Sequence, residues 1–180
     1  MHRPLTGEPL ALDLVNTRWL RGGAECDALA TIEDLVVWLS ERGLSQEQAT
    51  EPVRATLLHT RAVLRAVVEG GPGAAEQLNA VLARGFVVSA LDGGRVHQRV
   101  VFADDTWGLA WRAADDYLRL VTSGPERIRR CEHPACVLYF YDTSGRRRWC
   151  SMAGCGNRAK AQRHHARTRR PQRQRPSTIP

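Results

Sequence analysis

The chain has 180 residues, 43% of them hydrophobic, and a net charge of +7. That is room for one ordinary domain and a small accessory module, and too apolar for a disordered chain. No apolar run approaches the roughly 18 residues needed to span a bilayer, and Asp13 breaks the first apolar stretch, so neither an anchor nor a secretion signal is expected.

In chain order, Leu10, Leu12 and Leu14 alternate with Ala11 and Asp13. The alternation suits a half-buried strand, although a short helix can use the same residues. Asn16, Thr17 and Arg18 follow. Polar residues at the end of a buried element can line a ligand pocket, and Asn and Thr serve equally as caps or turns. Thr31 with Asp34 resembles a capping box, and Gly43 is a stop signal; between them a helix over 31–42 has Ile32, Leu35, Val36 and Leu39 on its apolar face. Ser45 is expected to cap a longer helix to about Glu69, ended by Gly70-Gly71-Pro72-Gly73. A short helix over 74–83 follows, closed by Gly85. The period then changes to two. Phe86–Leu91 and Val96–Phe102 flank Asp92-Gly93-Gly94, which predicts a hairpin. Asp104 or Asp105 caps another helix to about Val121, and Gly124-Pro125 marks a boundary. Trp19, Trp38, Trp107 and Trp111 lie in apolar segments and are expected in the core.

Charge divides at that boundary. Residues 1–124 carry 12 basic and 16 acidic side chains, a balance of −4; residues 125–180 carry 14 and 3, a balance of +11. A basic segment this concentrated points to a polyanionic partner, nucleic acid first. No phosphate-binding glycine loop or nucleophile elbow is present, and the acid pairs Asp104-Asp105 and Asp115-Asp116 are explained by capping and solvation. An enzyme is not expected. Without a secretion signal the protein is read as cytoplasmic.

Cys26 stands alone. Cys131, Cys136, Cys150 and Cys155 follow the pattern C-x4-C-x13-C-x4-C. Two close pairs in a chain without a secretion signal favour a metal over disulfides, and four thiolates form a closed, structural Zn²⁺ site with no open position for catalysis. Val137–Asp142 reads as a strand, Asp142-Thr143-Ser144-Gly145 as a turn and Arg146–Trp149 as the partner strand. Ser151 can cap a helix carrying Cys155 near its first turn and running to about Arg167. Knuckle, hairpin and helix in that order make a treble-clef-like finger. Backbone amides of Gly156 and Asn157 are placed to donate to sulfur, and Arg146, Arg147, Arg148 and Arg158 to offset the site's negative charge. Lys160, Arg163 and Arg167 stand at i, i+3 and i+7, one helix face. With Arg146-Arg147-Arg148 they predict a basic patch able to neutralise phosphates of duplex DNA, with RNA or a protein as the alternative partner. The Pro-, Gln- and Arg-rich tail from Arg169 is expected to be disordered.

The stretch 130–167 spells C-E-H-P-A-C, Y-F-Y-D, R-R-W-C-S-M and C-G-N-R-A-K-A-Q-R-H. It closely resembles the CGNR zinc-finger family of bacterial proteins. The N-terminal L-A-L-D-L-V-N-T, Leu10–Thr17, resembles the opening of the ABATE domain found before that finger. The resemblance implies an α+β N-terminal domain, a zinc-binding C-terminal domain and a role in stress-induced transcription regulation. The expected layout is therefore an α+β protein in three parts. Residues 1–124 form a self-sufficient helical domain with a small antiparallel sheet, serving ligand sensing or homo-oligomerisation; 125–170 form the zinc finger with its basic helix; 171–180 are tail.

Overall fold

The computed structural model describes residues 2–168, the side chain of Arg167 excepted; the tail expected to be disordered lies outside the described residues. Among the described residues there are six α-helices and three two-stranded antiparallel sheets. α1 is Leu10–Val15, so the alternating leucines form a helix, not a strand. The reason is burial on all sides: Ala11, Leu12, Asp13, Leu14 and Val15 are all enclosed, so the polar Asp13 faces protein, not water. Asp13 is held there by Arg3 at 3.2 and 3.3 Å and by the indole N–H of Trp38 at 2.9 Å. A carboxylate taken from water requires such partners.

β1 (Arg18–Arg21) and β2 (Ala24–Asp27) form a hairpin that the sequence reading did not include. α2 (Ile32–Glu41) is capped by Thr31, whose side chain accepts from the Asp34 amide. α3 is Glu51–Val68. It starts later than expected, because Ser45 caps only a short 3₁₀ turn and Thr50, ahead of Pro52, caps the helix proper. α4 is Ala74–Leu82. β3 (Gly85–Asp92) and β4 (Arg95–Phe102) form the expected hairpin around Gly93-Gly94, and α5 is Gly108–Ser123. The core lies among α1, α2, α3, α4 and α5, around Leu12, Leu35, Trp38, Leu39, Leu57, Leu64 and Ala110. The β3–β4 hairpin contributes no buried residue to this core. That hairpin projects from the bundle, tied at its root where the Phe102 and Trp111 rings meet edge to face at 5.9 Å.

β5 (Ile128–Arg130) and β6 (Tyr139–Tyr141) pair across the first cysteine pair. The expected partner of the second strand, Arg146–Trp149, is not a strand. It runs back beside the knuckle, with the Glu132 amide donating to the Arg148 carbonyl at 3.0 Å. α6 (Asn157–Thr168) ends the described chain. Among the described residues no helix is long and apolar enough to cross a membrane.

The outer edge of β6 is closed by two side chains of the N-terminal half. Asn16 donates to the Tyr139 carbonyl at 2.7 Å and accepts from the Tyr139 amide at 2.9 Å; Glu8 accepts from the Tyr141 amide at 2.9 Å. Together they stand in for a third strand. Tyr139 belongs to the main helical core, while Leu5 and Trp19 pack among the cysteines. The finger is thus built into the side of the helical domain.

Candidate metal centre and nucleic-acid interface

Each cysteine is placed by a separate local device. Cys131 follows β5, and its amide donates to the Leu138 carbonyl at 2.9 Å. Cys136 closes the tight turn begun at His133, whose carbonyl accepts the Cys136 amide at 2.9 Å. Cys150 ends the returning segment, and its amide donates to the Cys131 sulfur at 3.3 Å. Cys155 sits in a π-helical turn, Met152–Gly156, whose start is capped by Ser151 accepting from the Gly154 amide. The sulfur-directed amides differ from the expected pair. Gly156 donates to the Ser151 carbonyl instead, because the π turn aims its amide back into the chain.

All four sulfurs are buried and lie within 4.8 Å of one another. Cys136 and Cys150 are 3.8 Å apart, Cys150 and Cys155 3.5 Å. A tetrahedron of Zn–S bonds about 2.3 Å long has sulfurs about 3.8 Å apart, so the cluster fits the ion. The protonation chemistry agrees. Four thiols this close cannot ionise together on their own: hydrogen bonds from Cys136 and Cys150 hold the Cys131 thiol far below the usual range, while the bond to Cys131 pushes Cys136 up to about 12 and Cys150 higher still. A bound zinc ion supplies the positive charge that lets all four be thiolates and joins knuckle, returning segment and helix at one point. Arg158 donates to the Cys155 sulfur at 3.1 Å and offsets part of the remaining charge. Cys26, in β2, stands outside the cluster.

The basic residues separate into two groups. Arg147 is an internal strut. It pairs with the buried Glu8 at 2.8 Å, donates to the Trp149 and Cys150 carbonyls at 3.1 and 2.6 Å, and stacks 4.3 Å over Phe140. Arg148 is turned toward Glu132 at 2.6 Å. Arg146, Lys160 and Arg163 are exposed, and Arg158 is exposed with its guanidinium on the sulfur. Arg167 lies in α6; its side chain is outside the described residues. The contiguous Arg146-Arg147-Arg148 run thus does not act as one patch, because the chain turns back on the finger there and points its middle arginine inward.

Asn16 and Thr17 have their side chains engaged with protein partners. Both are buried: Asn16 is spent on β6, and the Thr17 hydroxyl donates to the Leu14 carbonyl and accepts from Arg61. The same Arg61 binds Asp27 at 2.6 and 2.8 Å. Burial pushes the Asp27 carboxyl up, but Arg61 and the Leu29 amide outweigh it and hold it below its usual range. Arg18 pairs with Glu25 on the exposed hairpin, beside a surface hollow of about 200 Å³ that also meets Trp19, Arg65 and Val137. Sequence reasoning missed Glu8 and Asn16 as the joint to the finger. Their partners are backbone atoms more than 120 positions away, which no local pattern announces.

A helical domain with a four-cysteine metal centre clasped to its side defines a two-part zinc-finger protein. The chain belongs to the ABATE family: the family model described as "Putative stress-induced transcription regulator" matches residues 8–124, more than half of the chain. The model described as "CGNR zinc finger" matches residues 127–168. No curated protein matches the chain.

Proposed function

We propose that the protein is a cytoplasmic, DNA-binding transcription regulator that presents α6 to duplex DNA, while its N-terminal domain senses a small effector or assembles copies of the chain. The observation that carries this reading is the character of α6. Its sequence, NRAKAQRHHART, has no acid, and among its described side chains only Ala159 is buried. A helix polar all round adds little to a core, so its place in the chain is explained by a partner. Cys155 at its start fixes its direction, and Arg146, Arg158, Lys160 and Arg163 give it positive charge to set against phosphates. No step of covalent catalysis is proposed, since four protein sulfurs complete a zinc shell.

The test compares duplex DNA, structured RNA and single strands at one salt concentration, then follows affinity for the preferred polymer against salt. Duplex DNA should bind best. In the Lys160→Ala/Arg163→Ala variant the log–log salt slope should shrink by about 1.8, at about 0.9 per phosphate neutralised. Preference for RNA, or affinity and slope unchanged with zinc content intact, would replace this reading with an RNA-binding or a protein-binding adaptor respectively.

A further inference from the structure

We infer that the free edge of β3 is a docking surface for a second copy of this chain, which joins two β3–β4 hairpins into one continuous four-stranded sheet. This goes beyond the DNA-binding reading and does not depend on it.

Among the described residues β3 and β4 form a sheet of two strands only, so each has an edge with no partner strand there. A lone hairpin is marginal in water, and a long, flat, uncharged edge invites another strand. This hairpin keeps large apolar side chains in solvent: Phe86 is 62% exposed, Leu91 73% and Val96 70%. The two edges differ. β4, RVHQRVVF, carries Arg95 and Arg99, charges of the kind that keep an edge from pairing. β3, GFVVSALD, carries Asp92 alone.

The geometry specifies the register. Gly93 and Gly94 have φ of 53° and 77°, the two-residue turn whose flanking pair, Asp92 and Arg95, is hydrogen-bonded. The ladder alternates from there. The amides and carbonyls of Phe86, Val88, Ala90 and Asp92 point to β4, and those of Gly85, Val87, Ser89 and Leu91 point outward. A two-fold axis perpendicular to the sheet keeps each face on its own side, so residues facing across it must have the same parity. Centring the axis on Val88 sets Val87 against Ser89 and Gly85 against Leu91 as hydrogen-bonded pairs. Between them it sets Val88 against Val88, Phe86 against Ala90 and Arg84 against Asp92. On either side of Val88 large residues then meet small ones, and the lone acid of β3 meets Arg84, which lies just before the strand with its guanidinium 4.8 Å over the Trp107 ring, twice over. Moving the axis to Ser89 puts Asp92 against Phe86. Moving it to Val87 leaves Leu91 and Asp92 overhanging. The charge pair therefore selects Val88 as the centre and another copy as the occupant, since Asp92, which faces Arg95 in its own hairpin, meets Arg84 only across the axis.

Sedimentation of the full-length protein over a concentration series tests this. The wild type should show a monomer–dimer equilibrium. Ser89→Pro deletes an outward N–H that β4 does not use, a substitution an edge strand tolerates, and should leave a monomer. Gln98→Pro makes the same change on the β4 edge and should leave the dimer. Asp92→Arg, at the exposed tip, should weaken the dimer at least tenfold and lessen that weakening at higher salt; adding Arg84→Asp should restore association. A wild type monomeric throughout would overturn the inference. So would loss of the dimer in Gln98→Pro but not Ser89→Pro, or failure of the double charge exchange to rescue.

Discussion

At the scale of single residues, neighbouring arginines of the same type do different work because of where their guanidinium groups end. Arg147 lies between the N-terminal segment and the finger, and four contacts use its whole donor fork. Arg146, one position earlier, is exposed. Replacing Arg147 with Ala takes the charged partner from the buried Glu8 carboxylate, which keeps only the Tyr141 amide, and the guanidinium donor from the Trp149 and Cys150 carbonyls, a loss of about 2–3 kcal/mol. In a chain of this size that lowers the melting temperature by about 5–10 °C. Arg146→Ala should leave melting unchanged within about 0.5 kcal/mol and reduce the DNA salt slope by about 0.9. Calorimetry and salt-dependent binding on the two variants separate these effects. Equal melting temperatures would show that Arg147 is not a strut.

At the scale of elements, the finger is three short pieces with little apolar surface of their own. β5–β6, the returning segment and the π turn each supply one or two sulfurs, and the cluster core includes Leu5, Trp19, Leu138 and Phe140. Removing a ligand therefore loosens the finger and also uncovers Trp19, which is 2% exposed. The Cys136→Ser protein should retain well under one zinc per chain by elemental analysis. Its tryptophan emission should shift to the red, as should that of the wild type stripped with a strong chelator. Cys26→Ser should keep both zinc and emission. Zinc lost from the Cys26 variant, or full zinc retained without Cys136, would refute the ligand set.

At the scale of the whole molecule, the break in charge at Gly124-Pro125 coincides with the change of matched family but not with a break in packing. The finger covers α1 through Asn16 and Glu8, and Tyr139 enters the helical core, where Arg65 lies 5.7 Å from its ring. The helical half cut at residue 124 would expose Trp19 and leave Asn16 and Glu8 facing water. It should fold, since its own core is intact, and melt well below the full chain. Matching melting temperatures in calorimetry would mean the clasp contributes nothing. On the proposed DNA-binding function, an acidic half fastened to a basic finger would keep the α6 side of the molecule toward the polyanion and its opposite side away from it.

The local features were legible because local chemistry decides them. Thr31 and Asp34 mark a helix start by capping, Gly93-Gly94 a hairpin by positive φ, and the paired cysteines a metal by ligand spacing. The Gly22-Gly23 turn, with φ of 59° and 87°, carries the same signal as Gly93-Gly94. It is not legible as a hairpin, because charged Arg18, Arg21, Glu25 and Asp27 hide the alternation around it. The sequence by itself determined which residues gather the metal, where α2 starts and which end of the chain is basic. Tertiary structure alone decided that Leu10–Val15 is a helix, that β6 pairs backward to β5, and that Asn16 bonds the backbone of Tyr139 in the finger. It also turned Arg147 inward and left the β3 edge bare. The physical reason is common to all of these: whether a polar group meets water, a distant backbone atom or nothing depends on which surfaces the fold brings together, and residue spacing does not carry that information.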